Sequence, residues 1–284
     1  MPIDFRNLGY VYDKKSPFSH EAIRDISLHL DEGKFIAIVG KTGCGKSTLI
    51  QQLNALLTPT SGEVQINEFC NSSEKKKRTK KYKELRKLVG LVFQFPEYQL
   101  FDDTVEKDVS FGPKNFGLKK EQAIEEAHKA LNKVGLNESF YDRSPFELSG
   151  GEKRKVAIAG ILAIHPSYLV VDEPTAGLDP RASKDMMQMF QSINKEGTTI
   201  ILVTHDMNLV QEFATDVIVM DEGRVAEVTT PVELFSKDLE HYSLEKPLIF
   251  KTASKLNASK KYNIDESKLR NVDDLAKAIA EGRK

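Results

Sequence analysis

The stretch GKTGCGKST, Gly40 to Thr48, packs glycines at 40, 43 and 45 among Lys41, Thr42, Cys44, Lys46, Ser47 and Thr48. It follows the apolar run KFIAIV and precedes STLIQQLNALL, where Leu49, Leu53 and Leu56 fall on one helical face. A strand, a glycine loop and a helix in that order suit a phosphate. Without Cβ atoms in the way, backbone N–H groups can turn inward around phosphate oxygens, and the new helix adds the partial positive charge of its N-terminus. The spacing Gly40-x-x-x-x-Gly45-Lys46-Ser47 predicts that Lys46 reaches the outer phosphates and that the Ser47 hydroxyl completes the shell of a Mg²⁺ ion. Cys44 reads as a small residue filling space, since no partner thiol lies near it in sequence.

The segment YLVVDEP adds carboxylates at the end of a second apolar run. Asp172 is suited to hold Mg²⁺ directly or through water, and Glu173 to face an attacking water. A lone Asp-Glu pair is weak grounds, but paired with the glycine loop it predicts a nucleotide site. His205 ends IILVTH and could contact a γ-phosphate, although by itself it reads more readily as a surface histidine at a strand end. In LSGGEKRKVAIAGILA, Ser149 and Glu152 make a capping-box pattern. Gly150 and Gly151 argue for more, because glycine weakens a first turn yet lets another body approach its N–H groups. A second phosphate-binding helix end makes sense if it serves a nucleotide held by another subunit.

These residues need a scaffold that gathers them. KFIAIVG, SYLVVDE and TTIILVTH are short, continuously apolar and rich in Val and Ile, as expected for strands of a parallel sheet buried on both faces. Ligands of such sheets bind beyond the carboxyl ends of the strands, so Lys46, Asp172 and His205 can converge. In AIRDISLHL and EVQI, alternation of Ile26, Leu28 and Leu30, and of Val64 and Ile66, predicts antiparallel strands with one apolar face. Ile124, Ala127, Leu131 and Val134 recur at helical spacing, and about 95–165 reads as an inserted helical subdomain. EKKKRTKKYK at 74–83 reads mainly as a solvated basic loop, with an anionic membrane surface as the sharper option. NVDDLAKAIAEG predicts a terminal amphipathic helix.

The glycine loop, LSGGE, YLVVDE, AGLD and VTHD occur in that order, and together they resemble the ATPase domain of ATP-binding-cassette (ABC) proteins over about residues 3–230. The resemblance implies an α/β fold: a RecA-like P-loop NTPase core, an antiparallel β subdomain, an inserted helical subdomain and, from 231 to 284, a small C-terminal extension. It implies that ATP is sandwiched between the P-loop of one chain and the signature segment of a second ABC ATPase chain. Glu173 then becomes the catalytic carboxylate, His205 the switch histidine and Gln94 the residue that senses Mg²⁺ and the attacking water. Ser149, Gly150, Gly151 and Glu152 touch the partner's ATP, and Asp179 lies in the loop joining the two sites. Tyr12 stacks on adenine, with Tyr10 as the alternative on the same strand face.

FQFPEYQLF, with LSGGEKRKVAIAGILA and DEPTAGLDP, is more specifically similar to the second ATPase of energy-coupling factor (ECF) transporters. That family implies two unlike ATPases at the cytoplasmic face of the cell membrane, held together in part by their extensions. They dock under a transmembrane coupling protein that carries a membrane substrate-binding subunit for a vitamin or a transition-metal ion. An ordinary ABC transporter ATPase and a soluble non-transport ABC ATPase stay open. The segment between Lys46 and Ser149 lacks the sustained heptads of the repair class, and one cassette is fewer than the translation class usually carries.

Bulk numbers narrow the choice further. The 284 residues carry a net charge of -1, which gives no reason to expect a nucleic-acid partner. The longest apolar runs fall short of the roughly 20 residues that span a bilayer. The N-terminus has neither a basic nor an apolar leader region, and two cysteines make no disulfide framework, so a reducing interior is expected.

Overall fold

Alternating and continuous apolar runs sort into two separate sheets. The computed structural model describes residues 2–282. The chain opens with β1 (Ile3–Tyr12) and β2 (His20–Leu30), and β3 (Phe35–Val39) then leads into α1 (Lys46–Leu53). The strands β4 (Ser61–Ile66) and β5 (Phe69–Ser72) complete a four-stranded antiparallel sheet in the order β2-β1-β4-β5. Ile26, Leu28, Leu30, Val64 and Ile66 all turn inward from it, as their alternation requires.

Next come α2 (Tyr82–Leu88) and β6 (Val89–Val92), then α3 (Val105–Asn115), α4 (Lys120–Lys133) and α5 (Gly150–Leu162). The chain continues through β7 (Tyr168–Asp172), α6 (Pro180–Lys195), β8 (Thr199–Val203), α7 (Met207–Phe213), β9 (Asp216–Asp221) and β10 (Arg224–Thr229). The second sheet runs β10-β9-β3-β8-β7-β6, with β9, β3, β8, β7 and β6 parallel and β10 antiparallel at its edge. Its parallel strands are buried on both faces, while β10 stays largely open to solvent. Phe35, Ala37 and Val39 of β3 join a core built with α3 to α7, whereas Ile36 and Ile38 join the core shared with α1 and the antiparallel sheet. Each such side chain contributes about 1.5–3 kcal/mol by leaving water.

Two local expectations are corrected by this packing, and one strand had not been anticipated. The helix after the glycine loop stops at Leu53, so Leu56 does not share its buried face and stands 46% exposed. Asn71 Nδ2 donates to the carbonyls of Gln52 and Leu57, both at 2.8 Å, and occupies acceptors that a longer helix would use itself. In α4 the buried stripe starts at Ala123 rather than Ile124, and runs through Ala127, Ala130 and Leu131 to Val134 just past the helix. The strand β6 was hidden in LVGLV beside a helical region, too short for periodicity to separate.

Past β10, α8 (Pro231–Ser236), α9 (Leu248–Ala258) and α10 (Val272–Glu281) form the C-terminal segment. Its Leu234, Phe235, Ile249, Phe250, Ala253, Leu269 and Leu275 share the core that lies on the helical face of the parallel sheet. This segment also grips α7: the Leu248 N–H donates to Asn208 Oδ1 at 2.8 Å, and Gln211 Nε2 donates to the Leu269 carbonyl. The basic run 74–83 is a loop and the start of α2, with Lys77 paired to Glu63 and Glu74, and Lys81 to Glu68. Among the described residues no helix is long and apolar enough to cross a membrane.

Candidate active site

The carboxyl ends of β3, β7 and β8 open onto one cavity of about 400 Å³. Its lining includes Tyr12, Thr42, Gly43, Gly45, Lys46, Ser47, Thr48, Gln94, Asp172, Glu173 and His205, brought together from segments scattered along most of the chain. Gly40 and Lys41 border an adjoining cavity of about 730 Å³ that reaches His205 and the segment before α9. Both cavities lie where the ends of parallel strands gather ligands.

The glycine loop depends on its lack of side chains. Gly45 sits at φ +98°, and a Cβ there would stand 2.5 Å from the Ala22 carbonyl oxygen and 2.6 Å from Ile23 Cγ2. At Gly40 a Cβ would meet the Met220 carbonyl oxygen at 2.2 Å. The backbone is therefore pressed against β2 and the end of β9, which aims the first N–H groups of α1 into the cavity. Lys46 Nζ donates to the carbonyls of Gly40 and Lys41, both at 2.8 Å, and so is held over the loop's centre. Cys44 turns its side chain into the core, and its own N–H donates to the Lys41 carbonyl at 3.2 Å. Burial raises its thiol above the ordinary value against the opposing pull of Lys46, which keeps it protonated and unreactive at neutral pH.

Ser47 Oγ donates to Asp172 Oδ2 at 2.9 Å, bringing a hydroxyl and a carboxylate to one point. Burial raises the Asp172 carboxyl, the Ser47 bond lowers it, and the net direction is upward. A divalent cation would stabilise the charged form that burial disfavours. The donor set fits Mg²⁺, which takes one or two protein oxygens and completes its octahedron with phosphate oxygens and water.

Glu173 adopts φ +48°, a left-handed conformation uncommon for a residue with a side chain. Its N–H donates to the Val203 carbonyl at 2.9 Å, which ties the strained residue to β8. Its Oε1 lies 2.8 Å from His205 Nδ1. The other oxygen, Oε2, is buried and has no hydrogen-bond partner among the described residues. An unpaired buried carboxylate oxygen is costly and is found where a ligand or water supplies the missing bond. The His205 ring itself is largely exposed.

Tyr12 places its hydroxyl 3.2 Å from Thr48 Oγ1, and its ring meets that of Tyr10 edge to face at 4.7 Å. Of the two tyrosines, Tyr12 lines the cavity and Tyr10 packs against the core. His20 and Ala22 of β2 also line the cavity and were not anticipated from the sequence. Their available signal was strand pairing, which sets His20 directly opposite Tyr12.

Ser149, Gly150, Gly151, Glu152 and Asp179 do not line this cavity. Ser149 and Glu152 close a capping box: the Glu152 N–H donates to Ser149 Oγ at 3.4 Å, and the Ser149 N–H donates to Glu152 Oε2 at 2.8 Å. The Ser149 hydroxyl also donates to Glu152 Oε2 at 2.7 Å, and this bond, with that from the Ser149 N–H, holds the Glu152 carboxyl below its usual range. Gly150 and Gly151 make the first turn of α5, and a Cβ on either would meet nothing within 4 Å. Asp179 caps α6, accepting from the N–H groups of Arg181 and Ala182 at 2.9 Å each.

Known proteins place this arrangement. Residues 23–176 match the family model described as ABC transporter. The energy-coupling factor transporter ATP-binding protein EcfA2 of Spiroplasma kunkelii is 49% identical over 282 residues, 98% of this chain and 92% of that protein. The protein of the same name from Lactococcus lactis subsp. cremoris is 50% identical over 235 residues, 83% of this chain and 81% of its own length. Among solved structures, cbiO1 of Clostridium perfringens, described as part of the ABC transporter complex cbiONQ, aligns with a TM-score of 0.75 and 36% identity, covering 90% of this chain and 96% of that one. The ATP-binding cassette MJ0796, a dimer bound to ADP and Pi, aligns with a TM-score of 0.68 and 29% identity, covering 81% of this chain and 98% of its own. The chain belongs to the ABC transporter family, among the EcfA2-type ATP-binding proteins of energy-coupling factor transporters.

Proposed function

We propose that this chain hydrolyses ATP as one of two ATPase subunits that energise an ECF-type importer of vitamins or transition-metal ions. The observation that carries the reading is the buried, unpartnered Oε2 of Glu173 beside the phosphate cradle. With Oε1 engaged by His205, Oε2 is free to accept a proton from a water aligned on the γ-phosphate. Lys46 and the N–H groups of the glycine loop hold the phosphates and offset negative charge that builds during transfer. Mg²⁺ held by Ser47 and Asp172, with Gln94 nearby, would neutralise charge shared between the β- and γ-phosphates. Tyr12 offers its ring to the adenine.

The other half of the site comes from a partner. Ser149, Gly150, Gly151 and Glu152 present an uncovered helix N-terminus that finds no phosphate within its own chain, and a second ABC ATPase would bring its ATP there. Asp179 lies at the joint between the two sites. The relatives' name supports an unlike partner of the same family, and the exposed Leu248 and Val272 of the C-terminal segment offer apolar surface for holding the pair together. Near Gln94, the exposed rings of Phe95, Tyr98, Phe101 and Phe111 form the surface on which a transmembrane coupling protein docks. That protein carries the membrane substrate-binding subunit, which leaves this chain peripheral at the cytoplasmic face.

Replacing Glu173 by Gln keeps the shape and removes the base. ATP-dependent dimers of Glu173→Gln chains should accumulate, with turnover in the assembled complex reduced about 10²–10⁴-fold, the usual range for removing a general base. Normal turnover in that variant removes Glu173 from its role.

A further inference from the structure

Arg154 points into the molecule from the second turn of α5, with 4% of its side chain exposed. Its Nε and Nη2 donate to the two carboxylate oxygens of Glu97, at 3.2 and 2.9 Å. Its Nη1 donates to the carbonyls of Pro174 and Ala176, at 3.0 and 2.8 Å. The Phe95 ring centroid lies 5.9 Å from the guanidinium carbon. One side chain thus joins three distant segments: the helix that begins at Ser149, the turn that follows Gln94, and the turn that follows Glu173 and leads to Asp179.

A buried ion pair is a poor device for stability alone, since well-packed apolar residues of similar volume hold a helix as well or better. What an apolar residue cannot do is fix direction. A guanidinium has a rigid fork of donors, and here that fork sets the positions of a carboxylate and two carbonyls at once. The carbonyl pair matters because Glu173, directly before Pro174, holds a left-handed backbone that its surroundings must maintain. Arg154 supplies one of those restraints from outside the strand. On its other side, Glu97 lies between Phe95 and Tyr98, whose exposed rings stand on the surface described above.

We propose that Arg154 is a positioning residue that couples the aromatic surface at Phe95 and Tyr98 to the carboxylate of Glu173, carrying the signature helix with both. Movement at the membrane-facing surface is then felt at the hydrolytic carboxylate, and the N-terminus offered to the partner's ATP shifts in step. The proposal rests on the reading in which Glu173 acts on ATP.

The test compares Arg154→Met with the double variant Arg154→Met/Glu97→Leu in the complete complex, reconstituted in lipid vesicles and supplied with ATP. The single variant leaves Glu97 partly buried and unpaired and should lower the melting temperature of the chain, whereas the double variant removes that charge and should recover most of the loss. In both, kcat should fall about tenfold with KM for ATP changed less than about threefold, within the range that coupling residues distant from ligand usually control. Recovery of both melting temperature and kcat in the double variant would reduce Arg154 to a structural pair and overturn the proposal. So would a rise in KM with kcat intact. Glu173→Gln, measured in parallel, reports on the reading of the site separately, because it leaves the Arg154 contacts in place.

Discussion

Glycines serve opposite purposes at the two turns, Gly40 to Gly45 and Gly150 to Gly151, that we propose meet phosphate. At Gly40 and Gly45 the chain itself forbids a side chain, through positive φ angles and carbonyl oxygens within 2.5 Å of where a Cβ would be. At Gly150 and Gly151 the chain forbids nothing: the backbone is helical and the space around each is open. Two glycines in a first turn cost helix stability with no return inside the chain. The difference fits our proposal, in which the first loop is shaped by its own fold and the second serves a body that arrives from outside.

The largest effect of breaking this comparison is expected at Gly45. Gly45→Ala forces a Cβ against the Ala22 carbonyl and a left-handed backbone on an L residue, which should destabilise the fold by about 1–3 kcal/mol and weaken ATP binding. Chemical unfolding and nucleotide titration measure both. Gly151→Ala should behave in the reverse sense: the isolated chain gains stability, by no more than about 1 kcal/mol, because alanine is the better helix former. A loss of stability there would mean that Gly151 is needed by its own chain, and the contrast would fail.

The smallest effect concerns pH. Burial acts to raise the Glu97 carboxyl, but its bonds to Arg154 and to its own backbone outweigh that and hold it below the ordinary value. A carboxylate lowered on folding contributes stability that is present above its unfolded value and lost as pH falls through its folded one. Between about pH 5 and pH 3, then, the melting temperature of the wild-type chain should fall more steeply than that of Arg154→Met/Glu97→Leu. Equal slopes would show that the pair stores no such stability.

Much of the convergence of residues on the candidate site was legible because their pattern is local. Gly40 to Ser47 is one uninterrupted pattern, and Asp172, Glu173 and His205 each follow a short, Val- and Ile-rich apolar run of strand length. The same logic ordered the parallel sheet. What escaped was set by contacts between distant segments. Arg154 stands among Lys153 and Lys155 and reads as one more solvated charge, and its partner Glu97 lies 57 positions away with no shared pattern. The grip of Leu248 and Leu269 on α7 is likewise invisible, since one partner in each contact is a backbone group. Leu56 was misjudged because side-chain bonds from Asn71, on another strand, occupy the carbonyls at the end of its helix.

The central claim, that the Ser149 to Glu152 turn serves a neighbour's ATP, is tested most directly by Gly151→Asp. An acidic residue in a first helical turn favours the isolated helix, so the variant chain should fold with an unchanged or higher melting temperature. Facing a phosphate it is repulsive, so ATP-driven association of two ATPase chains, followed by analytical ultracentrifugation, should be abolished while each chain still binds ATP. Undiminished ATP-dependent dimers of Gly151→Asp would contradict the account.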